Sequence, residues 1–118
     1  MTSTHAVLRK RLLERCGLTD ADTGGLSPDE LRRTQWCPEF DELCRDRMVM
    51  GAYRYGLVKH TAGKKDMVAG AIKRLELYRE TGNAEHLLDA ANACRVEWMQ
   101  QNHPRFHFRA ADDEVHFS

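Results

Sequence analysis

The stretch that most constrains the fold is residues 64–101, which has the pattern of two long amphipathic helices joined by a short turn. The apolar positions of its first half recur every three or four residues, as on one face of a helix: Val68, Ala71, Ile72 and Leu75. Gly82 stands where the first helix ends, at a position that favours the left-handed conformation open to glycine. A link this short makes the two helices pack antiparallel, so the sequence predicts a helical hairpin at the centre of the fold.

The second half of the hairpin carries its own apolar stripe, made of Ala84, Leu87, Ala91, Cys94 and Trp98. Asn83 precedes it and is suited to cap the helix, since its side-chain oxygen can accept from a free backbone N–H. Small residues on this helix, such as Ala90 and Ala93, permit a close approach of the two helices.

The remaining chain also favours helices, because proline is scarce and runs of β-branched residues are missing. Ser27, Pro28 and Glu30 form the pattern of a capping box, and Pro38 begins another long helix. A length of 118 residues fits one domain. We therefore predict a single all-α domain, residues 1–118, of four to five helices. Residues 1–35 hold N-terminal helices, 38–101 the core helices and 102–118 an irregular, extended tail.

The balance of charge excludes several partners. Eighteen basic and eighteen acidic residues give a formal net charge of zero, which removes the broad attraction of a general nucleic-acid binder. We find no apolar run of membrane-spanning length and no signal-peptide core, so we expect no membrane contact and a cytoplasmic location. The four cysteines lack the paired spacing of a zinc site.

The strongest candidates for a ligand site lie on the helix that begins at Pro38. Arg47 and Arg54 fall near its apolar stripe, and Gly51 lies between them, where a helix-interior glycine costs about 1 kcal/mol relative to alanine. Arginine forks bind phosphate through parallel hydrogen bonds, and we expect Tyr55 and Lys65 to add base and phosphate contacts. The alternative is that the arginines pair with carboxylates of the hairpin across the bundle.

Four acidic residues are candidate magnesium ligands. Glu39 and Glu42 form an ExxE pair at the start of one helix, and Glu85 and Asp89 lie along the second hairpin helix. Carboxylates that face one another across a helical bundle can hold a divalent cation. The alternative is that these side chains face water.

The tail contains aromatic residues and residues of metal-ligand type. Phe106 and Phe108 are expected to pack back onto the bundle or onto a second copy. The metal-ligand types are spread over an irregular segment, where they are weak evidence for a site: His103, His107, Asp112, Asp113 and His116.

Several segments, including FDELCRDRMVMGAYRYG and RLELYRETGNAEHLLDAAN, resemble a family of small uncharacterised proteins of bacteriophages and prophages. This resemblance implies the cytoplasm of an infected bacterial host. The order of an ExxE helix followed by helices with further acids is also similar to the MazG-like all-α nucleoside triphosphate pyrophosphohydrolases. That similarity implies magnesium held by Glu39 and Glu42, whereas Glu85 and Asp89 are four apart instead of the ExxD spacing of that superfamily.

Three functions follow as hypotheses. The first is a helical protein that binds a nucleotide or another phosphate ligand, to sequester it or to counter a host defence system. The second is a magnesium-dependent, MazG-like nucleotide pyrophosphohydrolase. The third is an inhibitor that binds a host protein through exposed aromatic residues. We also expect a homo-oligomer, because small helical domains with aromatic tails often self-associate.

Overall fold

The computed structural model describes residues 4–16 and 23–109, and in these ranges the chain is all-α, which confirms the predicted fold class. Five α-helices and one short 3₁₀ turn occur there: α1 Thr4–Cys16, α2 Pro28–Thr34, α3 Pro38–Tyr55, the 3₁₀ turn Val58–His60, α4 Met67–Thr81 and α5 Glu85–Gln100. Helices α4 and α5 form the predicted hairpin.

The chain divides into two compact units, and the division between α2 and α3 falls at Pro38, where the sequence placed the start of the core helices. Helices α1 and α2 belong to one unit and contact each other. The other unit is Pro38–Phe108, in which α5 packs against α4, α3 and the 3₁₀ turn. Helix α5 is therefore the element around which the second unit is built.

Local chemistry sets most of the helix ends. The Ser27 side chain accepts from Glu30 N and the Glu30 side chain accepts from Ser27 N, both at 3.2 Å, which is the predicted capping box. Asp66 caps α4 by accepting from Ala69 N at 3.0 Å. Gly82 ends α4 in the left-handed conformation, with φ of 72°. Asn83 Oδ1 accepts from Glu85 N at 3.1 Å, but the N-cap position of α5 is held by Ala84 and not by Asn83 as predicted.

Small residues make the closest contact in the hairpin. Ala71 of α4 and Ala90 of α5 are buried, whereas the larger apolar residues of the α4 stripe are about half exposed. Of the predicted α4 stripe, only Ala71 is therefore buried. Alanines let two helices approach closely, and Ala71 lies about 100° around the helix from Ile72 but only about 40° from Leu75 and about 60° from Val68.

Two side-chain amides tie α5 to the preceding elements. Asn92, which is buried, donates to the carbonyl oxygen of Cys44 at 2.9 Å and so links α5 to α3. Gln100 donates to Val58 O at 3.0 Å and to Thr61 Oγ1 at 3.1 Å. These bonds hold the connection between α3 and α4 against the end of α5.

The first part of the tail packs back onto α5, as one of the two predicted alternatives has it. Trp98 makes edge-to-face contacts with Phe106 and Phe108, at centroid distances of 5.9 and 6.0 Å. The candidate metal residues Asp112, Asp113 and His116 lie outside the described residues. Within the described ranges, no helix combines the length and apolar character needed to cross a bilayer.

Candidate ligand-binding cavity

A cavity of about 290 Å³ opens between α3, α4, α5 and the 3₁₀ turn, entirely within the unit Pro38–Phe108. Its walls are largely apolar and come from all of these elements: Met48, Ala52, Val58, Met67, Ala93 and Val96. Its polar lining comes from a few side chains: Tyr55, Thr61, Lys65, Arg74, Asp89 and Asn92. An apolar concavity with a few convergent polar groups is the usual form of a small-molecule site, and such sites begin at about 300 Å³.

Two helix-interior glycines keep the cavity open. Gly51 of α3 and Gly70 of α4 both line it, and a Cβ added to either would meet no atom within 4 Å. Neither glycine therefore serves a close contact between helix backbones. Each still costs its helix about 1 kcal/mol relative to alanine. The space that they leave belongs to the cavity.

Tyr55 and Lys65, two of the predicted ligand-binding residues, meet at the cavity. The Lys65 ammonium lies 3.8 Å from the centroid of the Tyr55 ring, in a cation–π contact. Both residues are exposed, so the lysine holds its place by the ring and remains accessible to a ligand. The pair presents an aromatic surface and a positive charge side by side.

The cavity lining also includes Asp89 and Arg74. Arg47 holds the Asp89 carboxylate in a two-pronged hydrogen bond, with Nε–Oδ1 of 2.6 Å and Nη2–Oδ2 of 3.1 Å. Arg74 approaches the same carboxylate only to 4.0 Å, and its side chain is 46% exposed. Arg74 is thus a weakly engaged cation on the cavity wall.

Arg47 is committed to an ion-pair network. Besides Asp89 it contacts Glu85, with 2.9 Å between Nη2 and Oε1. The hydrogen bond with Asp89 raises the pKa of Arg47 above its ordinary value, although burial acts in the opposite direction. Of the two alternatives for this arginine, the structure shows the ion pair across the bundle. Arg54 is exposed and lies outside the cavity lining.

The four candidate magnesium ligands do not form one group. Glu39 and Glu42 are exposed near the start of α3, whereas Glu85 and Asp89 both contact Arg47. In the part of the chain that the structure describes, no three His, Cys, Asp or Glu side chains are grouped so that they could hold a metal ion. This arrangement does not fit a magnesium site built from the four carboxylates, and we derive no chemical step through one.

Sequence reasoning missed Arg74 and Gly70. A usable signal was present, because Gly51 and Tyr55 are four residues apart and so are Gly70 and Arg74. On each helix a glycine therefore lies one turn before a polar side chain on the same face. That repeated spacing marks the two faces that line the cavity.

Comparison with known protein families, with curated proteins and with solved structures finds no match to this chain. The assignment of the cavity as a ligand-binding site is therefore based on the geometry of this chain alone.

Proposed function

We propose that the protein binds a nucleotide, or another small molecule with an apolar body and a phosphate group, in the cavity beside α5. The observation that carries the proposal is one cavity that combines apolar walls with two accessible cations, Lys65 and Arg74. The proposed role is binding without chemistry, so that the ligand is sequestered.

The apolar part of such a ligand has a suitable surface. Tyr55 presents an aromatic ring at the cavity, and Met48, Met67 and Val96 supply apolar contacts around it. Every nucleobase has a flat apolar face that stacks on an aromatic side chain, which contributes about 1–3 kcal/mol per base. Asn92 and Thr61 add polar groups that can orient the bound molecule.

The phosphate part is supported by the two cations. Among the residues that the structure describes, the nearest carboxylate to Arg74 is that of Asp89 at 4.0 Å, and both oxygens of Asp89 are already held by Arg47. A phosphate that reached Arg74 would gain hydrogen bonds that the unbound protein does not provide. Lys65, which also lines the cavity, can add a second positive charge.

The proposal is tested by calorimetric titration with inorganic phosphate, a nucleoside and the corresponding nucleoside monophosphate and triphosphate. We expect saturable binding of a phosphorylated nucleoside, tighter than binding of either part alone. Replacing Arg74 with glutamine removes a charged hydrogen bond, which contributes about 1.5–3 kcal/mol, so affinity should fall roughly tenfold or more.

The matched control is Arg79→Gln, which removes the same charge from an exposed position on the same helix, outside the cavity lining. Equal affinities for the two variants would refute the assignment of Arg74. A flat response to every compound with the unaltered protein would refute the proposed function itself.

The hydrolase hypothesis is tested in the same titration by adding magnesium. Binding without chemistry predicts that the recovered nucleotide is intact after incubation with the protein and magnesium. Release of phosphate or pyrophosphate would instead favour the MazG-like alternative.

A further inference from the structure

A second cavity, of about 480 Å³, adjoins the proposed ligand site. Lys65 and Met67 line both cavities, so the two meet at the start of α4. The second cavity lies entirely within the unit Pro38–Phe108, between the start of α4 and the end of α5. A ligand bound beside Tyr55 can therefore extend past Lys65 into this second space.

The lining of the second cavity is more polar than that of the first. Six of its nine lining residues are charged or polar: Lys64, Lys65, Asp66, Glu97, Asn102 and His103. In the lining of the first cavity, small and apolar residues predominate. The first cavity therefore suits the apolar body of a ligand, and the second suits its charged part.

The two acidic side chains of this second lining are engaged within the protein. Asp66 Oδ1 accepts from Ala69 N at 3.0 Å, at the N-terminal end of α4, where the helix dipole is positive. Glu97 accepts from Asn102 through both carboxylate oxygens, at 3.1 Å from the backbone N and 3.0 Å from Nδ2. These hydrogen bonds offset part of each negative charge, which lowers the repulsion that an anionic ligand would meet.

The donors of this second lining are left without acceptors in the part of the chain that the structure describes. There, neither the Lys64 nor the Lys65 ammonium forms an ion pair with a carboxylate. His103 Nδ1 accepts from Arg105 N at 2.9 Å, so the ring proton lies on Nε2, where it can be donated. Two positive charges and a neutral donor therefore line one cavity, and phosphate oxygens would supply the acceptors that they lack.

We propose that the second cavity holds the outer phosphates of a nucleoside polyphosphate whose base lies in the first cavity. Lys65, which lines both cavities, contacts the phosphate group nearest the nucleoside, and Lys64 and His103 contact the phosphates beyond it. This inference rests on the proposed function. It narrows the ligand class from phosphorylated nucleosides in general to nucleoside diphosphates and triphosphates.

Calorimetric titration with the monophosphates and triphosphates of the four common nucleosides, without magnesium, tests this assignment. The unaltered protein should bind a triphosphate roughly fivefold more tightly than the monophosphate of the same nucleoside, or better, as expected of added exposed charge pairs. Lys64→Gln should lower the affinity for the triphosphate by roughly fivefold and the affinity for the monophosphate by less. The matched control is Lys73→Gln, which removes the same charge from an exposed position of α4 outside both linings.

Two results would overturn the assignment of the second cavity and leave the proposed function standing. One is a triphosphate that binds no more tightly than its monophosphate, and the other is equal triphosphate affinity of Lys64→Gln and Lys73→Gln. Failure of every one of these nucleotides to bind the unaltered protein would instead contradict the proposed function itself, and the assignment of the second cavity with it. Circular dichroism checks that each variant keeps its helical signal.

Discussion

At the scale of single residues, the two carboxylate partners of Arg47 differ in their hydrogen bonds and in their exposure to water. Asp89 receives two hydrogen bonds from it and is 19% exposed, whereas Glu85 receives one contact and is 51% exposed. Because water screens the second contact more than the first, the two pairs should contribute unequally to stability.

We therefore expect Asp89→Asn to lower the free energy of unfolding by about 1.5–3 kcal/mol, because it weakens charged hydrogen bonds that are partly buried. Glu85→Gln, the matched control on the same arginine, should cost less than about 1 kcal/mol. Urea denaturation followed by circular dichroism measures both. If both variants lowered the free energy of unfolding equally, the two-pronged hydrogen bond to Asp89 would contribute no more stability than the single contact to Glu85.

The direction of the shift in the pKa of Arg47 determines at which pH the stability contributed by its ion pair with Asp89 is lost. The pKa of Arg47 is raised in the folded protein, so its contribution is fully present below the ordinary arginine pKa. It is lost only as pH rises through the higher, folded-state pKa. Raising the pH to values still below the ordinary arginine pKa should therefore leave the contribution of Arg47 to the free energy of unfolding unchanged.

At the scale of helices, a change of Gly51 to alanine should raise the stability of α3 and at the same time reduce the volume of the cavity. Gly51→Ala should stabilise α3 by about 1 kcal/mol, because alanine is the better helix former and its Cβ meets no atom within 4 Å. For a unit of this size that corresponds to a rise in Tm of about 4–8 °C. The same methyl group enters the lined space, so ligand affinity should fall.

The comparison variant is Gly82→Ala, at the end of α4. Gly82 has φ of 72°, a left-handed conformation in which alanine is strained, so this change should lower the Tm. Thermal unfolding with and without ligand separates the two cases. If Gly51→Ala raised the Tm and left affinity unchanged, the cavity assignment would fail while the helix argument stood.

Helices could be located from sequence because their ends depend on neighbouring residues. The Ser27–Glu30 capping box, Pro38 at the start of α3 and Gly82 at the end of α4 act over one turn of chain. The facing of each helix depends on its partner, and this is why the buried position is Ala71 and not Leu75. The candidate site depends on that facing, so Tyr55 and Lys65 were found and Arg74 was not.

At the scale of the whole molecule, stability should depend on protein concentration if copies of the chain associate, as we expect from its sequence. Association stabilises the folded state by mass action, so a hundredfold increase in concentration should raise the Tm by several degrees. Differential scanning calorimetry at two concentrations measures it, and a constant Tm for the unaltered protein would contradict association.

The two cavity glycines, Gly51 and Gly70, predict how these positions would change under selection in the laboratory. A population of variants selected only for heat resistance, with no ligand present, should accumulate alanine at positions 51 and 70, because each change strengthens a helix and meets no atom within 4 Å. Selection for ligand uptake should favour glycine at both positions. The frequencies of glycine and alanine at these two positions after each selection would show whether function requires the cavity.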